Sequence, residues 1–331
     1  MADQLLDVVG IGNAIVDVLS HAEDPFLIKH DLVKGTMKLI SASEGEALYR
    51  EMGAGVETSG GSAANTIAGI AALGGKGGFI GKVHDDELGK IFGHDIRALG
   101  VEFPVPAATT GQPTARCLIL VTSDAQRTMQ TFLGASSELG PDDVDEAFVR
   151  GARITYLEGY LWDPPRAKEA FVKAAEIAHG AGRQVALTLS DPFCVDRHRA
   201  DFKNLVDDHI DILFANEAEI TSLYEADSFD DALQAVRGKC AIAVLTRSEK
   251  GAVILADGEV HVVDAAPVAR VVDTTGAGDL YAAGFLFGLT RGEKLITCGR
   301  LGALCAAEII SHYGARPESD LAELVKTAVH A

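Results

Sequence analysis

Between residues 154 and 246, short apolar runs rich in β-branched residues alternate with stretches of helical period, and this alternation restricts the fold more than any other feature. Strands are expected at 154–157, 184–189, 210–215 and 241–246, with helices at 167–179, 201–208, 217–224 and 230–237. A strand that reaches the next one only through a helix comes back parallel to it, and a parallel sheet has to be covered on both faces. Upstream, the same reading gives strands at 5–10, 79–81 and 114–123 and helices at 44–52, 61–73, 87–99 and 144–150. The 61–73 helix carries small residues on every side, which suits tight packing inside a core.

Two stretches, 15–40 and 110–132, break the rhythm with β-branched alternation and little helical period. They are expected to pair into a small β-sheet standing off the main body as a lid, with limits at about 13–41 and 110–133. No repeat and no linker-like segment divides the 331 residues, so a single domain over 1–331 with an inserted flap is expected.

The chain has 48 acidic and 29 basic side chains, a formal net charge of −19, which opposes association with nucleic acid or an anionic membrane. A small anionic ligand is still compatible, because oriented backbone amides override the global sign locally. The start, Met1-Ala2-Asp3-Gln4, lacks the basic residues of a signal peptide, and no apolar run reaches the roughly 18–20 residues of a membrane span, so a cytoplasmic location is expected. The five cysteines form no CxxC pair and are odd in number, which fits reduced, buried thiols.

Two glycine motifs are decoys. Gly10-Ile11-Gly12 follows a strand, but Ile15 stands where a dinucleotide fingerprint needs its third glycine. Gly81-Lys82 ends like a phosphate-binding loop, yet Lys76 replaces the first glycine and Val83 the required hydroxyl.

The informative stretch is Asp273-Thr274-Thr275-Gly276-Ala277-Gly278-Asp279, followed by the apolar run 280–289. A glycine-rich turn feeding a helix leaves the amides of Ala277, Gly278 and Asp279 free to converge on an anion. Asp279, in the first turn, can take a proton from an incoming hydroxyl while those amides hold the group under attack. An aspartate there also suits a plain helix cap. A second glycine pair, Gly60-Gly61, opens another helix with Asn65 one turn inside, where its amide can meet a hydroxyl pair; Asp17 can supply the matching acceptor. Asn216 and Glu219, one helical step apart after the 210–215 strand, suit a hydrated magnesium ion as well as an ordinary acidic helix start.

In this order, GGSAAN at 60–65 and DTTGAGD at 273–279 resemble the two signatures of the ribokinase-like (PfkB-type) family of carbohydrate and nucleoside kinases, over essentially the whole chain. GNAIVD at 12–17, SDPF at 190–193 and DILFANEAE at 211–219 look most like its adenosine-kinase branch. The resemblance implies a ribokinase-like α/β fold and transfer of the γ-phosphoryl group of ATP to the 5′-hydroxyl of a purine nucleoside. It makes Asp279 the catalytic base and the amides of Gly276, Ala277, Gly278 and Asp279 the anion hole. Asp17, Gly60, Gly61 and Asn65 would hold the ribose, and Asn13, Ile15, Met37, Met129, Leu133 and Phe193 would line the base pocket. Arg127 matches a lid arginine that swings toward the phosphates. Asn216, Thr246, Gly276 and Gly278 would contact ATP, Glu219 and Asn216 would organise Mg2+ through water, and a monovalent cation, K+, would lie by Asp273 and Thr275. Ser248 departs from the pattern, which has glycine there. A sugar kinase acting on ribose, fructose or a keto-deoxy sugar acid is the alternative, a non-catalytic nucleoside-binding protein the second; either a monomer or a homodimer fits.

Overall fold

A computed structural model describes residues 5–124 and 126–329. In chain order the elements are β1 (Leu6–Ile11), β2 (Ile15–His21), α1 (Asp24–Lys29), β3 (Met37–Leu39), α2 (Ala42–Glu51), β4 (Gly55–Gly60), α3 (Ser62–Ala72), β5 (Gly77–Ile80) and α4 (Glu87–Ala98). There follow β6 (Ala115–Val121), β7 (Arg127–Phe132), α5 (Glu146–Arg150), β8 (Ala152–Glu158), α6 (Pro165–Gly180), β9 (Gln184–Thr188), α7 (Pro192–His209), β10 (Ile212–Asn216), α8 (Glu217–Tyr224) and α9 (Phe229–Val236). The chain continues through β11 (Ile242–Thr246), β12 (Ala252–Ala256), β13 (Glu259–Val263), α10 (Ala277–Thr290), α11 (Leu295–Ile309) and α12 (Leu321–Val329).

An eight-stranded sheet in the order β13-β12-β11-β10-β9-β8-β1-β5 forms the body. All pairs from β11 to β5 are parallel, while β12 and β13 add antiparallel at one edge. The central strands are apolar on both faces, as a sheet covered by helices requires: Val8, Val9 and Ile11 of β1 are wholly buried. Helices α3, α10 and α11 pack together and onto β1, β5, β12 and β13, while α5 and α6 lie against β8 and β9. The fold is therefore the ribokinase-like α/β arrangement with flanking helices.

A second sheet, five strands in the order β3-β7-β6-β2-β4, takes two strands from each of the stretches that broke the alternation and adds β4. The 15–40 stretch also contains α1, which its lack of helical period concealed; Pro25 opens it in the first turn. Cys117, Ile119 and Val121 form a small apolar cluster with Ile15, Leu19 and Met129, separate from the main core.

Two elements depart from expectation. The helix placed at 201–208 begins nine residues earlier, capped by Asp191, whose carboxylate accepts from the Cys194 N–H at 2.6 Å, with Pro192 at its first position. A kink at His198 (φ −126°, ψ 23°) splits it, so its two halves share no single apolar stripe. The β12–β13 hairpin turns on Asp257 (φ 50°) and Gly258 (φ 76°), the left-handed pair that matches strand twist.

Candidate active site

The residues singled out from sequence gather at the carboxyl ends of the parallel strands, where open α/β sheets leave a crevice. Gly12 and Asn13 follow β1, Glu158 ends β8, Asn216 ends β10 and Thr246 ends β11. Over this edge lie the amino ends of α3 and α10.

Gly276 is the N-cap of α10 in the left-handed region (φ 80°), and no side chain caps the helix. The N–H of Ala277, expected to be free, donates instead to the Thr274 carbonyl at 3.2 Å; those of Gly278 and Asp279 are without intrahelical partners, a dipole end suited to an anion. A Cβ added to Gly278 would meet nothing within 4 Å, so the space beside the turn is open. Asp279 is held from α3: Ser62 Oγ donates to Oδ1 at 2.6 Å and Asn65 Nδ2 donates to Oδ2 at 2.9 Å. Burial pushes its pKa above the usual carboxylate range, against the two hydrogen bonds and the charge of Arg316. It does not cap its own helix, so the plain capping role does not account for it.

Asp17 projects from β2 beside Gly60, its register neighbours on β4 being Thr58 and its flanks. A side chain at Gly60 would collide with the Asp17 carboxylate, and one at Gly61 (φ 99°) with the Asn13 carbonyl. The glycine pair therefore lets β4 and β2 close on each other at the mouth of α3. No described residue donates to the Asp17 carboxylate, and burial raises its pKa to about 6, opposed by Arg316 and Arg127. A free acceptor of this kind fits a ligand hydroxyl.

Glu158 and Arg316 escaped the sequence reading. Glu158 is 1% exposed and accepts from Ala63 N at 2.8 Å, Asn13 Nδ2 at 2.6 Å and Asn13 N at 3.3 Å. It serves as the missing cap of α3, and burial raises its pKa to about 7. The amide of Asn13 is engaged by Glu158 and by Ser136, whose hydroxyl donates to Oδ1 at 2.9 Å. Arg316, after α11, donates to Asn65 Oδ1 at 2.6 Å and to Ser59 O and Oγ at 2.7 and 2.9 Å.

Arg127, at the start of β7, forms a 2.7 Å ion pair with Asp273, both side chains under a tenth exposed. Asp273 also accepts from Thr275 N and Oγ1 at 3.1 and 2.8 Å and from Gly314 N at 3.0 Å, closing the loop before α10. Nε and Nη2 of Arg127 are buried without a hydrogen-bond partner among the described residues. The second sheet is thereby fastened to the glycine turn.

Asn216 and Glu219 form a reciprocal capping box: Glu219 N donates to Asn216 Oδ1 at 2.9 Å, and Asn216 N and Nδ2 donate to the Glu219 carboxylate at 2.9 and 2.6 Å. Burial nevertheless raises the Glu219 pKa to about 7. Among the described residues no group of three or more His, Cys, Asp or Glu side chains is placed to hold a metal. Thr246 pairs with Asn216 across β10 and β11. Ser248 has φ 52°, the left-handed conformation that explains a glycine preference at this position.

Of the residues expected to line a base pocket, Met37 and Met129 are register partners on β3 and β7, Ile15 and Met129 pack on the small apolar cluster while Met37 is exposed, and Leu133 directly follows β7. Phe193, in the first turn of α7, is 74% exposed. A cavity of about 1160 Å3 between Lys82, the 104–111 loop and Lys173 shares none of these residues. No helix among the described residues is long and apolar enough to cross a membrane.

The pfkB family carbohydrate kinase profile matches residues 28–321. The crystal structure of a probable sugar kinase from Rhizobium etli superposes with a TM-score of 0.91 at 51% identity, covering 98% of each chain. That of adenosine kinase from Sinorhizobium meliloti superposes with a TM-score of 0.90 at 50% identity, covering 98% of this chain and 99% of that one. Adenosine kinase of Saccharomyces cerevisiae is 27% identical over 329 residues, 92% of this chain and 95% of its own. A profile that matches residues 28–321 spans most of the sequence, and the chain therefore belongs to the pfkB family of carbohydrate kinases, phosphotransferases that act on hydroxyl groups.

Proposed function

We propose that the chain transfers the γ-phosphoryl group of ATP to the 5′-hydroxyl of a purine nucleoside, adenosine foremost. The observation that carries this reading is the Asp279 carboxylate, clamped by Ser62 and Asn65 beside the open amide turn at Gly278. The acceptor oxygen attacks the γ-phosphorus in line, its proton passes to Asp279, and the bond to the bridging oxygen breaks to release ADP. Little covalent help is needed, so positioning and charge neutralisation supply most of the rate. The amides of Gly278 and Asp279 face the developing charge, and Asp17 and Asn65 orient the ribose. Kinases of this family use ATP, and Mg2+ neutralises the phosphates; the carboxylate of Glu219, with lone pairs beyond those Asn216 engages, would hold it through its waters.

The adenosine-kinase structure at 50% identity supports a nucleoside, and the probable sugar kinase at 51% supports the second reading, a sugar acceptor on the same machinery. K+ beside Asp273 and Thr275 is part of the proposal; since Arg127 occupies the Asp273 carboxylate, the ion would rest on nearby carbonyls. A turnover panel of adenosine, guanosine, inosine, ribose and fructose with ATP and magnesium, in potassium and in tetramethylammonium buffer, tests all three points. Asp279→Asn is expected to lower kcat by at least about 10²-fold while nucleoside still binds. Near-wild-type turnover of that variant would exclude the base.

A further inference from the structure

The acceptor site is rich in carboxylates. Around Asp279 stand Asp17 on β2, Glu158 at the end of β8 and Glu219 on α8, with the phenols of Tyr156 and Tyr160 nearby. The cation whose field opposes burial at Asp279 is Arg316, which acts on Asp17 as well, where Arg127 adds to it. Its guanidinium enters from the loop after α11, and its fork grips two elements at once, Ser59 of β4 and Asn65 of α3. Ser59 is fixed from the other side by Asp95 of α4, whose Oδ2 accepts from Ser59 N at 2.7 Å. The anchor on which Arg316 rests is therefore itself rigid.

Asn65 lies between a cation and an anion. Its Oδ1 receives Arg316 and its Nδ2 donates to Asp279. Turned over, the amide would point N–H groups at a guanidinium and an oxygen at a carboxylate, two repulsions in place of two hydrogen bonds. The orientation of the donor on Asp279 is thus set by Arg316, from 251 residues along the chain.

We propose that Arg316 is a positioning residue for phosphoryl transfer: it locks the Asn65 amide against the base and places a positive charge beside the two carboxylates, Asp17 and Asp279, that the reaction needs ionised. The proposal rests on the kinase reading above. Arg316 acts in this proposal through Asn65 and the two carboxylates, with its fork spent on Asn65 and Ser59, so its signature differs from that of a binding residue.

The experiment measures kcat against pH at saturating adenosine and ATP·Mg2+ for wild type, Arg316→Gln and Arg316→Lys, with nucleoside affinity and thermal midpoint recorded for each. Arg316→Gln, which removes the charge, is expected to move the acid limb of kcat upward by about one unit or more. Arg316→Lys keeps the charge and loses the fork; its acid limb is expected to stay in place while kcat falls on the order of tenfold to a hundredfold and nucleoside affinity changes less than about twofold. An unmoved acid limb in a folded Arg316→Gln overturns the proposal, whatever its midpoint. If Arg316→Gln does not fold, Arg316→Lys decides, and wild-type kcat there overturns it equally. Asp279→Asn measured in parallel separates the two readings: normal turnover there removes the base assignment itself, whereas a dead Asp279→Asn beside wild-type Arg316 variants removes only the role of Arg316.

Discussion

Asp17, Glu158 and Glu219 hold protons at a higher pH than ordinary carboxylates, about 6, 7 and 7, chiefly because burial disfavours their charged forms. For Asp17 the consequence falls on binding. Above about pH 6 it is an anion with free lone pairs for a hydroxyl pair, and below it a neutral acid. Nucleoside affinity is therefore expected to weaken as pH falls through that value, by roughly tenfold for each further unit. Calorimetric titration of wild type and of Asp279→Asn checks it, the variant removing both the second carboxylate and a charge that raises the Asp17 pKa, so that its transition is expected at lower pH; a flat affinity from pH 7 to pH 5 in the wild type would remove Asp17 from the acceptor site. At this scale the sequence was partly legible. Asp17, Asn65 and Asp279 sit in short motifs whose glycines announce a close approach. Glu158 was readable in principle as an acid closing an apolar strand, whereas Arg316 occupies a loop with no periodicity, and only the folded chain carries it to Asn65.

Helices α3 and α10 bring the glycine pair and Asp279 together, and their spacing is set by small residues. A Cβ on Gly69 would lie 2.7 Å from Ala283 Cβ and 2.8 Å from Leu280 Cδ1, both inside α10. Gly69→Ala is expected to push α10 outward and cost about 1–3 kcal/mol of stability. Because Ser62 and Asn65 ride on α3 while Asp279 rides on α10, kcat is expected to fall in the same variant; denaturant unfolding and steady-state assays read both, and an unaltered kcat would show that the helix spacing does not set the clamp. The alanine-rich composition of 61–73 made this closeness legible. The β12–β13 hairpin was missed because the alternation reading stopped at 246, although Asp257-Gly258 between β-branched runs is a strong turn signal. The first half of α7 was hidden by its kink, because a period cannot be followed across His198.

At the scale of the molecule, the second sheet reaches the body through Arg127, buried against Asp273. With Nε and Nη2 unpartnered among the described residues, the side chain has donors to offer incoming phosphates. Arg127→Ala is expected to lower phosphoryl transfer by about tenfold or more while changing nucleoside affinity little; equal losses in kcat and affinity would argue against a role in the transfer step. The layered α/β body followed from the alternation of elements, but not the docking of the second sheet, which rests on pairs far apart in sequence: Arg127 with Asp273, and Ser59 with Asp95 and Arg316.

The clamp on Asp279 joins partners 217 and 214 positions distant, and Arg316 closes a span longer still. A polypeptide still threading from the ribosome thus holds Ser62 and Asn65 long before Asp279, and Arg316 emerges after all three. An incomplete chain that stops short of residue 279 or 316 therefore cannot form this network, whatever else of the body has folded.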